Sequence, residues 1–121
     1  MGVSIVTIKR LHSGPRMSQV VIHGDTVYLA GQVAVNAPGA SFADQTKDIL
    51  ANIDKLLGEA GTDKSKLLAA QLWITDMRHF AEMNEIWDAW VDPANPPVRA
   101  CVEARLAASQ FTVEIMVTAA L

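Results

Sequence analysis

Arg99 is the side chain in this sequence whose type and position most suggest chemistry. It lies in the segment NPPVRACVEARL, residues 95–106, where two prolines lead into an apolar strand, and it comes two residues before Cys101. A planar guanidinium can hold a carboxylate by two parallel charge-assisted hydrogen bonds, which fix the ligand's orientation. The residues by themselves therefore predict an anion site in an α+β domain.

Structural roles for the same residues are alternatives at this stage. Arg99 could be a solvated strand residue or the partner of a structural ion pair, and Glu114 could pair with Arg105 across two strands. Cys101 fits the pattern of a small buried hydrophobe. Trp87 and Trp90 recur at helical spacing, which is typical of a core rather than of a stacking platform.

Size and composition indicate one globular domain that spans residues 1–121. Half of the residues are hydrophobic and 19% are charged, which is the balance of a folded domain rather than a disordered chain. The net charge of −3 provides no basic surface, so nucleic acid is not an expected partner. A hydrophobic fraction this high also hints at buried contacts between subunits.

Cysteine and histidine usage gives no sign of a metal or a disulfide. A single cysteine cannot form an internal bridge, and the three histidines have no metal-ligand spacing. The N-terminal segment MGVSIVTIKRL lacks an apolar run long enough for a signal peptide or a membrane span. We therefore expect a soluble cytoplasmic protein without a metal or a membrane partner.

A β-hairpin is predicted around Gly24 and Asp25, because glycine at the first central position suits a type II′ turn. This turn sets Val20 opposite Leu29. Continued alternation predicts that Val33 shares their face and that Ala30 and Gln32 lie on the other face. The remaining elements are a first strand over 3–11, a helix over 42–60 that Ser41 caps and Gly61 ends, a fourth strand over 67–75, a helix over 77–91 that Asp76 caps, and two closing strands over 98–106 and 112–119. Apolar spacing predicts the core-facing stripes of the two helices, which are Phe42, Thr46, Ile49, Ile53, Leu56, Leu57 and Ala60 in the first and Phe80, Met83, Trp87 and Trp90 in the second. The order β-β-β-α-β-α-β-β predicts an α+β fold, a mixed sheet with both helices on one face.

The last two strands are predicted to form a hairpin whose apolar residues face the helices. Matching these residues sets Leu106 opposite Val113 and Glu114 opposite Arg105. Arg99 would then lie roughly 20 Å from Glu114 within one chain, so the two could meet only across a subunit boundary. A closed oligomer with pockets between subunits would also cover the partly apolar outer face.

The chain resembles the RidA (YjgF-type) family of reactive-intermediate deaminases over nearly its whole length. Asn84 and the arginine-x-cysteine pattern at 99 and 101 add to the likeness. Five segments carry it in order: SGPRMSQVVIHGDTVYLAGQVAVN, QTKDILANIDKLLGEAG, DMRHFAEMNEIWDAW, PPVRACVEARL and VEIMVTAA. The resemblance implies a chorismate-mutase-like fold of the bacillar type, assembled as a homotrimer with clefts between neighbouring subunits.

The resemblance also implies an activity without metal or cofactor. Such enzymes hydrolyse 2-imino or enamine acids to 2-keto acids and ammonia. Arg99 would anchor the substrate carboxylate and Glu114 would hold the attacking water, while Gly31 and Cys101 would contribute backbone to the cradle. Two positions depart from the archetype: Arg16 stands where a tyrosine is usual, and Ala30 replaces a serine.

These departures keep two other functions open. Ala30 favours a non-catalytic trimeric module that binds small carboxylates or keto acids. A protein-interaction or holdase role is permitted by the hydrophobic composition. Arg16 could add a second cation to the site or simply face solvent. Arg99 together with Glu114 favours the deaminase over the binding module, whereas the interaction role predicts a function that Arg99→Ala leaves unaffected.

Overall fold

One mixed six-stranded sheet carries two helices on one face in the computed structural model, which describes residues 6–121. Across the sheet the strand order is β1-β2-β3-β6-β4-β5. The bounds are β1 Ile8–Ser13, β2 Ser18–His23, β3 Thr26–Leu29, α1 Phe42–Ala60, β4 Leu67–Ile74, α2 Phe80–Trp90, β5 Val98–Glu103 and β6 Val113–Ala120. The α+β class and the predicted element order are confirmed, although part of the expected first strand, residues 3–5, lies outside the described residues.

The β2–β3 hairpin has the predicted register. His23 lies opposite Thr26 and Val20 opposite Leu29. Gly24 has a φ of 61°, a left-handed value that glycine adopts without strain and that the first central residue of a type II′ turn requires. The turn therefore fixes which side chains of β2 and β3 face the core.

Helix α1 begins and ends where its capping residues predict. The Ser41 hydroxyl accepts a hydrogen bond of 3.2 Å from the Asp44 N–H, and Gly61 ends the helix at a φ of 89°. These contacts satisfy backbone groups that a helix end would otherwise leave without partners. The buried stripe contains every apolar residue that the spacing predicts: Phe42, Ile49, Ile53, Leu56, Leu57 and Ala60.

Helix α2 is preceded by a short 3₁₀ turn, Met77–His79, that Asp76 caps. The Asp76 carboxylate accepts a hydrogen bond from the Arg78 N–H at 2.9 Å. Met83 and Trp87 are buried against the sheet, whereas Phe80 is 37% exposed at the start of the helix. The predicted apolar stripe is therefore part core and part surface, and its exposed end lies beside Arg99.

The predicted hairpin of the two closing strands is wrong. β4 lies between them: β5 pairs with β4 in parallel, and β6 pairs with β4 antiparallel. Glu114 is consequently opposite Trp73 and not Arg105. The strand also ends at Glu103, so Leu106 does not pair with Val113.

The sidedness of β5 is also the reverse of the prediction. Ala70 and Leu72 of β4 face the core, and their partners on β5 are Arg99 and Cys101. Arg99 and Cys101 therefore lie on the helix side of the sheet. The apolar residues of β5 lie on the opposite side, the open face, where Val98 is 73% exposed.

That open face is the uncovered side of the sheet. Its exposed large apolar side chains include Tyr28, Val98, Val102 and Met116. An apolar sheet face of this kind is typical of a surface that packs against another protein surface. Within residues 6–121, no helix is long and apolar enough to cross a membrane.

The strand alternation reverses just after β3. Val27 and Leu29 are buried, so continued alternation would also bury residue 31 and Val33, and the sequence predicts this position for Val33. Instead Gln32 is 5% exposed and Ala34 is fully buried. Gln32 resumes pairing with β6 through two backbone hydrogen bonds to Ile115, of 2.8 and 3.1 Å. The irregular step at residues 30–31 therefore turns Gly31 toward the open face.

Candidate active site

Two groups of the predicted site residues lie apart in one chain. We call Asn84, Arg99 and Cys101 the arginine half-site, and Ala30, Gly31 and Glu114 the glutamate half-site. The first lies on the helix side of β5, at one edge of the sheet. The second lies on the open face, where the 30–31 step meets the start of β6.

The Arg99 guanidinium is held by α2. Its Nη2 donates a hydrogen bond of 2.8 Å to Oδ1 of Asn84. The guanidinium carbon lies 5.5 Å from the centre of the Trp87 ring and 5.9 Å from that of Phe80. Aromatic faces attract a cation at these distances, so the fork is oriented before any ligand binds.

Arg99 has no acidic partner within residues 6–121, although it is half-buried. Its one side-chain acceptor is the neutral amide of Asn84. A partly desolvated guanidinium is usually paired with a carboxylate or phosphate because its charge and its five donors need acceptors. The interpretation of Arg99 as part of an intrachain ion pair is therefore not supported, and the remaining donors are available to an anion.

Cys101 lies on the same side of β5 as Arg99 and packs against the edge of the core. Burial raises the pKa of its thiol, and this effect exceeds the opposing influence of the Arg99 charge. A thiol with a raised pKa carries little thiolate at neutral pH, and the thiolate is the nucleophilic form. Cys101 is thus suited to lining a site rather than to attacking a substrate.

Gly31 is in close contact with the carboxylate of Glu114. A Cβ added at Gly31 would overlap Oε2 of Glu114 and lie 3.1 Å from its Cδ. Only glycine leaves room for the carboxylate in this position. Within the described chain the Gly31 N–H makes no backbone hydrogen bond, so this donor is available to a ligand.

The Glu114 carboxyl lies in a small cavity that it shares with Trp73, Arg105 and Leu106. Burial raises its pKa above the usual glutamic acid value, since a partly desolvated carboxyl favours the neutral form. No ion pair joins Arg105 to Glu114 in the described residues, although both line the cavity. Glu114 therefore has the environment of a general acid or base rather than of an ion-pair partner.

The two half-sites cannot serve one ligand within one chain. Glu114 on β6 lies opposite Trp73 on β4, and Trp73 lies beside Val102 on β5. Arg99 comes three residues before Val102, on a strand that is two positions away from β6 in the sheet. Strand spacing and rise place the Cα atoms of Arg99 and Glu114 roughly 14 Å apart, and their side chains project from opposite faces of the sheet. The predicted separation of about 20 Å between Arg99 and Glu114 rested on the wrong strand pairing. The two side chains are nevertheless too far apart to meet within one chain.

Other predicted and unpredicted residues complete the description. Arg16 is exposed on the loop between β1 and β2, at the same end of the sheet as Ala30, and no ion pair of the described chain includes it. Phe80 beside Arg99 was expected only as core. Gln32 lies on the helix side of the sheet, although continued alternation predicts the other face. Asn52 is not among the predicted site residues, because a polar residue on a helix surface carries no signal for its contact with Gln32.

Comparison with known proteins defines the family. A family model described as Endoribonuclease L-PSP matches residues 7–121. A RutC family protein of Haemophilus influenzae is 44% identical, with 94% of this chain and 98% of that protein covered. The chain belongs to this family, whose members also carry the names RutC and YjgF, and the resemblance found in the sequence is confirmed.

Solved structures agree with this assignment. The crystal structure of a YjgF-family protein from Neisseria meningitidis matches with a TM-score of 0.90 and 44% identity over 94% of each chain. A Rid-family protein of Yersinia pestis, described as of unknown function, matches with a TM-score of 0.84 and 27% identity over 90% of each chain. The chain therefore shares both fold and family with them over nearly its full length.

Proposed function

We propose that the protein hydrolyses reactive 2-imino or enamine acids to 2-keto acids and ammonia. The observation that carries this proposal is the half-buried Arg99 fork, which is oriented by Asn84 and has no acidic partner within residues 6–121. A planar cation in this state matches a planar carboxylate. A 2-imino acid places its electrophilic carbon directly beside that carboxylate.

The reaction needs little beyond position and proton transfer. Glu114 takes a proton from water as the water oxygen bonds to the imine carbon, and it gives that proton to the imine nitrogen, so that a carbinolamine forms. The carboxylate then carries the hydroxyl proton of the carbinolamine to the nitrogen, which leaves as ammonia. The C–N bond breaks while the new C–O bond becomes the keto group. Holding the carboxylate on Arg99 makes attack effectively unimolecular. The Gly31 N–H, which has no backbone partner in the described chain, donates a hydrogen bond to the substrate nitrogen as negative charge develops on that atom during water addition.

The proposal places each reacting cleft between two subunits of a homotrimer. Arg99 is on the edge strand β5, and Glu114 is on the open face, so a neighbouring chain could bring its glutamate half-site against the arginine half-site. Packing the open faces together would also bury Tyr28, Val98, Val102 and Met116. The ligand class is then a small 2-imino or 2-keto carboxylate bound at the subunit boundary.

The family description names an endoribonuclease, and that name offers a different substrate. Binding of nucleic acid depends mainly on neutralising phosphates with clustered lysine and arginine. The net charge of −3 does not favour such a surface. The deaminase proposal accounts for Arg99 and Glu114 together and is the one we test.

The test generates 2-iminobutanoate or 2-iminopropanoate in situ with a dehydratase or an amino-acid oxidase. Conversion to keto acid is followed with and without the protein, and with Arg99→Ala whose assembly is checked by native mass spectrometry. Arg10→Ala is a matched control, because Arg10 is exposed on β1 at the other edge of the sheet. We expect acceleration by the wild type and by Arg10→Ala, and none by Arg99→Ala.

Two results would contradict the proposal. Equal acceleration by Arg99→Ala would remove the anchor role of the arginine. No acceleration of any imine, together with measurable binding of 2-ketobutyrate in a calorimeter, would favour the non-catalytic carboxylate-binding module and draw attention to Ala30 and Arg16.

A further inference from the structure

A network of amide side chains centred on the buried Gln32 lies behind the glutamate half-site. Gln32 is 5% exposed, and its Nε2 donates to Oε1 of Gln19 at 2.9 Å and to the carbonyl oxygen of Ala30 at 3.0 Å. Its Oε1 accepts from Nδ2 of Asn52 on α1 at 2.6 Å. Every polar atom of the Gln32 amide thus has a partner, which is the condition for burying such a group without a large penalty.

The network fixes the orientation of the amide as well as its position. The Ala30 carbonyl and the Gln19 oxygen are acceptors, so the NH₂ end of Gln32 must face them. Its oxygen then requires a donor, and Asn52 supplies one from α1. A single buried side chain consequently ties the backbone of residue 30 to the helix layer.

Residue 30 is the point where the strand alternation reverses. The backbone N–H and C=O of Gln32 both form hydrogen bonds with the backbone of Ile115. The Gln32 side chain, which lies on the helix side, donates a hydrogen bond to the Ala30 carbonyl oxygen. Together these contacts hold the irregular step that turns Gly31 toward the Glu114 carboxylate. Without the side-chain contact, the step would be held only by backbone pairing.

We propose that Gln32 and Asn52 are positioning residues, which hold the 30–31 step so that Gly31 remains packed against Glu114. This inference rests on the proposed deaminase function, because what they position is its acid–base group. Neither residue touches the reacting atoms. They act through the Ala30 carbonyl, and they differ in this respect from Arg99 and Glu114.

Asn52→Asp tests the proposal with almost no change of shape. At pH 8 the carboxylate cannot donate to Gln32, so the amide must lose a partner or flip away from Ala30. We expect kcat for imine hydrolysis to fall about tenfold from misplacement of the reacting groups, with KM within about twofold because Arg99 still anchors the substrate. The ratio of variant to wild-type kcat should rise as pH falls and the new carboxyl gains a proton to donate.

Lys55→Ala is the matched control. Lys55 lies on α1 and lines the same groove as Asn52 and Gln32, but it is exposed and takes no part in the network. We expect it to retain wild-type kcat. A wild-type kcat for Asn52→Asp at pH 8, or an equal loss in Lys55→Ala, would overturn the proposal.

A second measurement needs no substrate and separates this inference from the proposed function. The Glu114 carboxyl carbon is titrated by NMR in wild type and in Asn52→Ala, with folding checked by circular dichroism. Release of the 30–31 step should admit water to the carboxyl and return its raised pKa toward the usual glutamic acid value. An unchanged Glu114 pKa would overturn the positioning role. A shifted pKa in a protein without imine activity would retain that role and reject the deaminase.

Discussion

The two half-sites are built in different ways. The arginine half-site consists of long side chains held by other side chains: an amide of α2 accepts from the guanidinium, and the Trp87 ring flanks it. The glutamate half-site is built from backbone, because an irregular step places a glycine against a carboxylate. The first provides a fixed positive charge, and the second provides a carboxyl whose pKa burial has raised.

This difference indicates a division of labour. A preoriented cation suits binding, since its planar fork matches a carboxylate. A carboxyl with a raised pKa suits proton transfer, because its carboxylate is a stronger base than that of an ordinary glutamate. Substitutions should accordingly affect binding and turnover separately.

The largest expected effect is that of Arg99→Ala. Loss of two charge-assisted hydrogen bonds to the substrate should lower kcat/KM about a hundredfold or more, mostly through KM. Arg99→Lys keeps the charge but not the planar fork and should lose about tenfold. Steady-state kinetics over a range of imine concentrations checks this order. A loss confined to kcat would contradict the assignment of Arg99 to binding.

Glu114→Gln should have the next largest effect, and it should fall on kcat. Removing a general acid–base group costs about a hundredfold or more, while KM stays near the wild-type value. In the wild type, kcat should decline as pH falls through the raised Glu114 pKa, because the base is then protonated. The variant should lack this decline. The ionised carboxylate is disfavoured by burial, so the thermal midpoint of Glu114→Gln at pH 7 should equal or exceed that of wild type.

Gly31→Ala tests whether the glutamate half-site depends on the close contact between the Gly31 backbone and the Glu114 carboxylate. The added Cβ overlaps the Glu114 carboxylate, which must move aside, so we expect about a tenfold loss of kcat. The melting temperature should change little, because the displaced atom is the end of a flexible side chain. Gly58→Ala is the control: its Cβ meets nothing within 4 Å on α1, and the change should stabilise the protein by ~0.5–1 kcal/mol. Wild-type turnover by Gly31→Ala would show that the close contact is unnecessary.

The smallest expected effect is that of Cys101→Ser. Burial raises the pKa of the thiol, so the side chain is largely protonated and only its backbone would face a ligand. We expect kcat/KM within about threefold of wild type. Complete loss of activity in a folded variant would indicate that the sulfur itself reacts.

Local signals in the sequence were enough to predict the β2–β3 hairpin and α1. Glycine at a turn and serine at a helix start act on residues two to four positions away, so their effect is visible in a short segment. The partner of β5 is set by a contact with β4, some 29 positions earlier at Ala70 and Arg99, which no local pattern encodes. The two faces of β5 are also similar in hydrophobicity, because Val98 and Val102 alternate with Cys101 and the aliphatic stem of Arg99.

The candidate site was predicted in its residues but not in its geometry. Arg99, Glu114 and Gly31 were identified, and the resemblance to the family carried most of that identification. Gln32 was assigned to the wrong face because alternation was extended through Ala30 and Gly31. The reversal of alternation brings Gln32 into contact with Asn52, which lies on another element 20 residues away, so no local pattern reveals it.

A subunit-mixing experiment tests the central claim that the two half-sites face each other across a subunit boundary. Arg99→Ala and Glu114→Gln chains are unfolded, mixed in equal amounts and refolded, and mixed trimers are verified by native mass spectrometry. If each cleft takes one half-site from each neighbour, random mixing restores about a quarter of wild-type clefts. We predict recovery of imine hydrolysis to about that level, from two parents that are nearly inactive. Mixed trimers with no activity above the parents would contradict the claim.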